Sequence, residues 1–321
     1  MQVPAELRTK ITRLLNIRVP IVQTGMGWVS DAGLTAATSA AGGLGILAGA
    51  TMSMRELEHA IDTVRSRTDE SFGVNLRADQ RDAADRIDLM ADRGVRVASF
   101  ALAPRIELIE RCKQRGLVVI PSVGARRHAE KVAQWGADAV IVQGGEGGGH
   151  TGDVPTSILL PQVIDAVDIP VIAAGGFNDG RGLVAALAWG AEGIAMGTRF
   201  LLTSDSPVVD ATKQLYLDAD VHSTVVTRQI DGVPQRVLRA GALTGVVDAG
   251  LVRRALGTLR NAVAFQRLSE IPWATMLREG LAMKRTRELS WGQMLMAANA
   301  PMLYRAALLE GRTDIGIAAS G

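Results

Sequence analysis

One unit repeats from about residue 18 to 200: a short apolar run ending at Gly or a polar residue, then a longer amphipathic segment. The runs are Val19–Val22, Leu44–Leu47, Phe72–Leu76, Val95–Phe100, Val118–Val123, Ala139–Val142, Val171–Ala174 and Gly193–Met196. They are rich in Val, Ile and Ala and mostly lack polar alternation, which predicts strands buried on both faces of a parallel sheet. The segments between them predict helices over Leu34–Ala41, Met54–Arg67, Ala83–Arg93, Arg105–Gln114, Ala125–Trp135, Ile158–Val167 and Gly182–Trp189. Gly94, Gly136 and Gly190 close three of them, as the left-handed position after a helix demands. Eight strands alternating with helices predict an α/β fold, a (β/α)8 TIM-type barrel, with a doubly wound open sheet as the alternative.

Beyond Leu202 the rhythm changes. Ser204-Asp205-Ser206-Pro207 reads as a cap for a helix over Val208–Ala219, and Ser223–Ile230 with Gln235–Leu238 reads as β-like. Ala249–Gln266, Trp273–Met283, Ser290–Ala298 and Pro301–Leu309 read as further helices. The expected division is a barrel over 1–202 and a mainly helical appendage over 203–321 that covers the barrel mouth.

Composition removes several function classes. Net charge is +2 and no block of five like charges occurs, so nucleic-acid and anionic-membrane roles have no support. The single cysteine, Cys112, excludes an intramolecular disulfide and a cysteine metal site, and suits a reducing cytoplasm. The N-terminus lacks the apolar stretch of a signal peptide, and no uncharged apolar run reaches ~18 residues. Asp85, Asp88 and Asp92, with Arg81, Arg86 and Arg93 nearby, read as a solvated helix face. Gly43-Leu44-Gly45-Ile46-Leu47-Ala48 matches a dinucleotide-binding pattern on paper, but its glycines precede a strand and cannot place a pyrophosphate on a helix N-terminus.

Barrel chemistry lies at the C-terminal strand ends. After the sixth run, five of the six residues 144–149 are Gly, and His150 follows. Gly in an ordered element costs about 0.5–1 kcal/mol against Ala, so these glycines are expected to leave room for a ligand, not to serve packing. His150 could be a general base, a hydrogen-bond donor to substrate, or a tie for the loop. His59, His128 and His222 lie in helical repeats or beyond the barrel. No second His or carboxylate cluster has ligand spacing, so no metal is expected. Gly175-Gly176 and Met196-Gly197-Thr198 end the seventh and eighth runs, where barrels often bind a phosphate. Flavin mononucleotide and a sugar phosphate both suit that position.

Pro20–Gly27, Phe72–Asn75, the Gly-rich run ending in His150, Ala173–Phe177 with Asp179–Gly182, and Met196–Phe200 together resemble the nitronate monooxygenase (2-nitropropane dioxygenase-like) family over the whole chain. Val97–Pro104, Val142–Gly152 and Leu295–Asn299 resemble its actinobacterial steroid-degradation branch, which acts on a hydroxy-indane carboxyl-CoA thioester. The resemblance implies an FMN-containing barrel. It puts Gly25, Met26, Gly27 and Asn75 beside the flavin ring system or ribityl chain, Gly175, Gly176, Gly197 and Thr198 at its phosphate, and His150 beside the substrate. Gln143, Gly148, Gly149, Ala174 and Met196 complete the expected flavin-contacting set. Two positions depart from some quinone-reductase relatives, which have Lys at Ser122 and Asp at Gln143. Family members usually run on past Ala318–Gly321 into one more helix, so this closing element is expected to be missing, truncated or supplied differently.

The expected activity is therefore hydride transfer between FMN and a steroid-derived bicyclic acyl-CoA thioester, with NAD(H) as the other redox partner. The alternative is nitronate oxidation with O2. A non-redox phosphate-binding barrel would need no flavin, but its Schiff-base form requires a strand-end Lys that the sequence lacks. The partner is a small molecule, the compartment is the cytoplasm, and a homodimer remains open.

Overall fold

The computed structural model describes residues 7–101, 103–239, 291–313 and 318. In chain order the strands are β1 (Ile21–Gln23), β2 (Leu44–Leu47), β3 (Phe72–Leu76), β4 (Val97–Phe100), β5 (Val118–Val123), β6 (Val140–Gln143), β7 (Gly149–His150), β8 (Val171–Ala174), β9 (Gly193–Met196), β10 (Thr224–Thr227) and β11 (Gln235–Leu238). Eight of them close a parallel barrel in the order β1-β2-β3-β4-β5-β6-β8-β9, with β9 pairing back onto β1. This excludes the open sheet. Strands β2, β3, β4, β8 and β9 are buried at every residue, which is why their sequences do not alternate.

Period two sorts the strand residues into two layers. Val22, Ile46, Val97, Ile120, Ile141 and Ile172 fill the interior together with Ile11 and Leu15 of helix α1 (Lys10–Leu15). The alternate residues, such as Phe72, Val74 and Phe100, face the helices α2 (Ala32–Ala40), α3 (Met54–Arg67), α4 (Ala83–Asp92) and α5 (Ile106–Gln114). Val140, Val142, Val171 and Ile194 do the same against α6 (Arg126–Gln134), α7 (Thr156–Ile164) and α8 (Gly180–Ala188). Helix α3 starts on a capping box, Ser53 Oγ accepting from Glu56 N while Glu56 Oε2 accepts from Ser53 N. The helix-closing glycines Gly94, Gly136 and Gly190 have φ of 67°, 93° and 97°.

Gly45 explains the misleading glycine pattern. A Cβ there would lie 2.2 Å from the Thr35 carbonyl oxygen, so Gly45 lets α2 press directly on β2. Arg86 departs from the solvated surface read around Asp85, Asp88 and Asp92. It is 3% exposed, with Nε on Asp82 and its two terminal nitrogens on the Gly49 and Met52 carbonyls. Three acceptors offset the cost of burying this guanidinium. Cys112 is buried on α5, and burial, aided by the Asp138 charge, pushes its thiol up to about 12. A thiol reagent at neutral pH should therefore label it only at the rate of unfolding; rapid labelling of the native protein would contradict this burial.

The described residues divide into two compact units, drawn from Met1–Gly147 with Thr151–Pro207 and from Gly148–His150 with Val208–Gly321. The first is the barrel, which ends in the short helix α9 (Thr198–Leu201). The second holds helix α10 (Asp210–Leu217), an antiparallel sheet in the order β10-β11-β7, and helix α11 (Trp291–Glu310). Two expectations are corrected here. Helix α10 begins at Asp210 after Val209, with no side-chain cap, so Ser204–Pro207 does not cap it. In place of the two helices expected over Ser290–Ala298 and Pro301–Leu309, the described residues show one helix, α11, over Trp291–Glu310 with Pro301 inside it. Pro301 forfeits one helical hydrogen bond, while Ala300, Leu303 and Tyr304 pack on Ile230 and Val237 and hold the turns around it. The helices expected over Ala249–Gln266 and Trp273–Met283 lie outside the described residues. Among the described residues, no helix is long and apolar enough to cross a membrane.

Candidate active site

The barrel alternation that points Val97, Ile120 and Ile141 inward carries Ser99, Ser122 and Gln143, two residues further on, to the same face at the C-terminal strand ends. Asn75 pairs with Ser99 in register and donates Nδ2 to Ser99 Oγ at 3.5 Å. These four residues form an uncharged polar layer capping an apolar barrel. Ala174 is the inward residue of β8, paired with Gln143. Met196 differs: its side chain packs in the outer layer, and its carbonyl accepts from Thr24 N at 3.1 Å. Any contribution from Met196 is thus a backbone one.

The loop after β1 is held open by its own polar residues. Gln23, fully buried, donates Nε2 to Ser30 Oγ at 2.7 Å, while Ser30 Oγ accepts from Met26 N at 2.8 Å. Gly25 lies against Asn75, where a Cβ would stand 2.4 Å from the Asn75 Cβ. Gly27 approaches Thr51, and Gly197 approaches both Thr24 and Met26. The expected residues Gly25, Met26, Gly27, Asn75 and Gly197 therefore converge. Gly175 and Gly176, with φ of 99° and 82°, turn the chain out of β8. Gly197 precedes α9, whose first turn has no side-chain cap.

The glycine-rich loop behaves differently from the expectation that it merely leaves room. A Cβ on Gly144 would fall 2.0 Å from Thr156 Oγ1, and one on Gly147 would fall 2.3 Å from Gln143 Nε2. Glu146 then clasps the start of α7, its Oε2 accepting from Thr156 N at 2.8 Å and from Thr156 Oγ1 at 2.6 Å. Gly144 and Gly147 are thus close-packed against α7 and Gln143, and packing is the reason for these two glycines.

Gly148, Gly149 and His150 leave the barrel unit and join the second one. Gly149 takes φ of 67°, and His150 stands opposite Gln235 in the β7–β11 pairing. His150 is exposed, and its Nε2 lies 2.6 Å from Asp231 Oδ2. Burial pushes the Asp231 carboxyl up, but the His150 hydrogen bond and charge, the Val233 N–H and Gln235 outweigh it and hold it below the usual range. An ionised carboxylate at that distance accepts from an Nε2–H of the ring. Gln235 is buried, and its Oε1 accepts from the Tyr304 hydroxyl. Asp231, Gln235 and Tyr304 were not anticipated. The only local signals were an Asp-Gly turn and a polar residue opening an apolar strand.

The family model described as "Nitronate monooxygenase" matches residues 8–89 and 84–301. A Mycobacterium tuberculosis protein named (3aS,4S,5R,7aS)-5-hydroxy-7a-methyl-1-oxo-octahydro-1H-indene-4-carboxyl-CoA dehydrogenase is 59% identical over 98% of this chain and 90% of its own. A Rhodococcus jostii protein of the same name is 56% identical over 98% of this chain and 89% of its own. The solved structure of FabK from Thermotoga maritima aligns with a TM-score of 0.77 at 35% identity, covering 98% of this chain and 88% of that one. With the barrel, its polar cap and these matches in hand, the chain belongs to the nitronate monooxygenase family.

Proposed function

We propose that this oxidoreductase binds FMN in its barrel unit and moves hydride between the flavin and a steroid-derived bicyclic acyl-CoA thioester, with NAD(H) as the second redox partner. The observation that carries the reading is the 59% and 56% identity to two dehydrogenases whose names specify an octahydroindene carboxyl-CoA. The residues present fit the cofactor. The interior polar layer offers amide and hydroxyl groups that can hydrogen-bond an isoalloxazine edge, and Gly25 brings backbone onto Asn75 where a side chain would collide. Gly25, Met26, Gly27 and Asn75 would hold the ring and ribityl chain, and Gln143, Gly148, Gly149 and Ala174 would border them. Gly175, Gly176, Gly197 and Thr198, with the Met196 backbone, would offer donors to the phosphate.

When bound, the flavin supplies hydride chemistry at N5. The chain supplies proton handling: with Nε2–H committed to Asp231, His150 Nδ1 would take a proton from, or return one to, the substrate. The alternative, nitronate oxidation with O2, draws on the family match and would use the same histidine.

A visible spectrum followed by anaerobic titration separates these readings. The purified protein should be yellow, and the bicyclic acyl-CoA should bleach it while nitronate does not. Bleaching by nitronate alone would favour the alternative, and a colourless protein with no affinity for FMN would sink both.

A further inference from the structure

We propose that Asp231 is a positioning residue for His150, fixing the imidazole as its Nε2–H tautomer, and that Gln235 and Tyr304 lock the carboxylate in place behind it. The proposal rests on reading His150 as the proton-handling residue and adds three residues to it.

The donor directions can be worked out from the far end. Tyr304 is pushed up from the ordinary phenol range by burial and by the Asp231 charge, so its hydroxyl stays protonated and donates to Gln235 Oε1. That fixes the Gln235 amide, whose oxygen is taken and whose NH2 therefore faces the other way. Gln235 Nε2 lies 3.0 Å from His150 Nε2 and donates to Asp231. Two nitrogens that close are compatible when both direct their hydrogens onto the same carboxylate, and His150 Nε2 is 2.6 Å from Asp231 Oδ2. Val233 N donates to Asp231 Oδ1 at 3.0 Å. The carboxylate thus receives donors from a strand, a loop and a ring, and its position is determined from three sides.

The backbone builds the arrangement. His150 and Gln235 are Cα partners in the antiparallel β7–β11 pair, so their side chains leave the sheet on one face. Gly232, at φ of 83°, turns the chain that carries Asp231 back toward β11. Tyr304 reaches Gln235 from α11, whose neighbouring Ala300 and Leu303 pack on Ile230 and Val237. When Nδ1 takes a proton, the ring becomes cationic with an anion already in contact, so the charge forms beside its counter-ion. A carboxylate paired this way orients the ring and stabilises the imidazolium without itself accepting the proton.

The test is 15N-histidine NMR on the flavin-loaded protein, with His150 assigned by the signals missing from His150→Ala. The parent should show His150 as Nε2–H, with a ring proton strongly deshielded by the carboxylate. Asp231→Asn should keep bound flavin, lose that proton signal, and lower turnover at least roughly tenfold, about 1.4 kcal/mol of barrier. Asp231→Glu should recover part of both. Tyr304→Phe frees the Gln235 amide to turn and should cost about two- to tenfold, the worth of one neutral hydrogen bond. Unchanged ring signals in Asp231→Asn would overturn the proposal. If the signal is lost there while His150→Ala turns over normally, the positioning stands and the catalytic reading of His150 fails.

Discussion

His150→Ala will keep its flavin and lose at least roughly tenfold in turnover, about 1.4 kcal/mol of barrier. Retention follows from placement. His150 belongs to the second unit, whereas the residues that converge at the strand ends, Gly25, Met26, Gly27, Asn75 and Gly197, belong to the barrel. The loss follows from chemistry. The ring is exposed and paired through Nε2 with an ionised carboxylate, and in the proposed mechanism this ring exchanges the proton. Positioned general acids and bases typically contribute about 10²-fold or more, so tenfold is a floor. Turnover equal to the parent would remove His150 from the mechanism and leave it as a tie for the sheet. His150→Gln is a useful companion, because it keeps a donor for Asp231 but cannot take up a proton.

Gly144→Ala will unsettle the barrel unit by about 3 kcal/mol, the upper end of the overpacking range. The new Cβ would meet not only Thr156 Oγ1 at 2.0 Å but also Thr156 Cα at 2.5 Å and N at 2.6 Å. A rotamer change cannot relieve contact with backbone, so the start of α7 must move. Thr156 Oγ1 also lies 3.1 Å from Gly175 O, so the movement reaches the expected phosphate end. Thermal unfolding should fall by roughly 6–12 °C, at about 2–4 °C per kcal/mol for a unit of this size, and flavin should be held more weakly. Gly180→Ala is the control. Nothing lies within 4 Å of a Cβ there, and it should cost no stability. Equal melting temperatures for the two variants would refute the packing role of Gly144.

The barrel was legible because strands buried on both faces must be apolar throughout, and all eight runs coincide with barrel strands to within two residues. The helix ends were legible where Gly94, Gly136 and Gly190 take positive φ. Long-range pairing was harder to read. Asp231 meets His150 across 81 positions, through a two-residue strand in a glycine loop where no propensity marks a strand. Gly144 was misjudged for a related reason: sequence shows that a glycine is present, but not whether a ligand or the chain itself occupies the space beside it. The run through Pro301 was divided because proline is a local stop signal, and in α11 tertiary packing overrides it.

Strand β7 bears on modularity. The second unit is discontinuous: its sheet takes one strand from Gly148–His150 and the rest from the chain after Pro207. A chimera joined at 207/208 would therefore give the transplanted sheet a foreign third strand and pair its Asp231 and Gln235 with whatever residue the host loop carries at position 150. Exchange of this module between relatives must move both segments together, as must any truncation meant to express it alone.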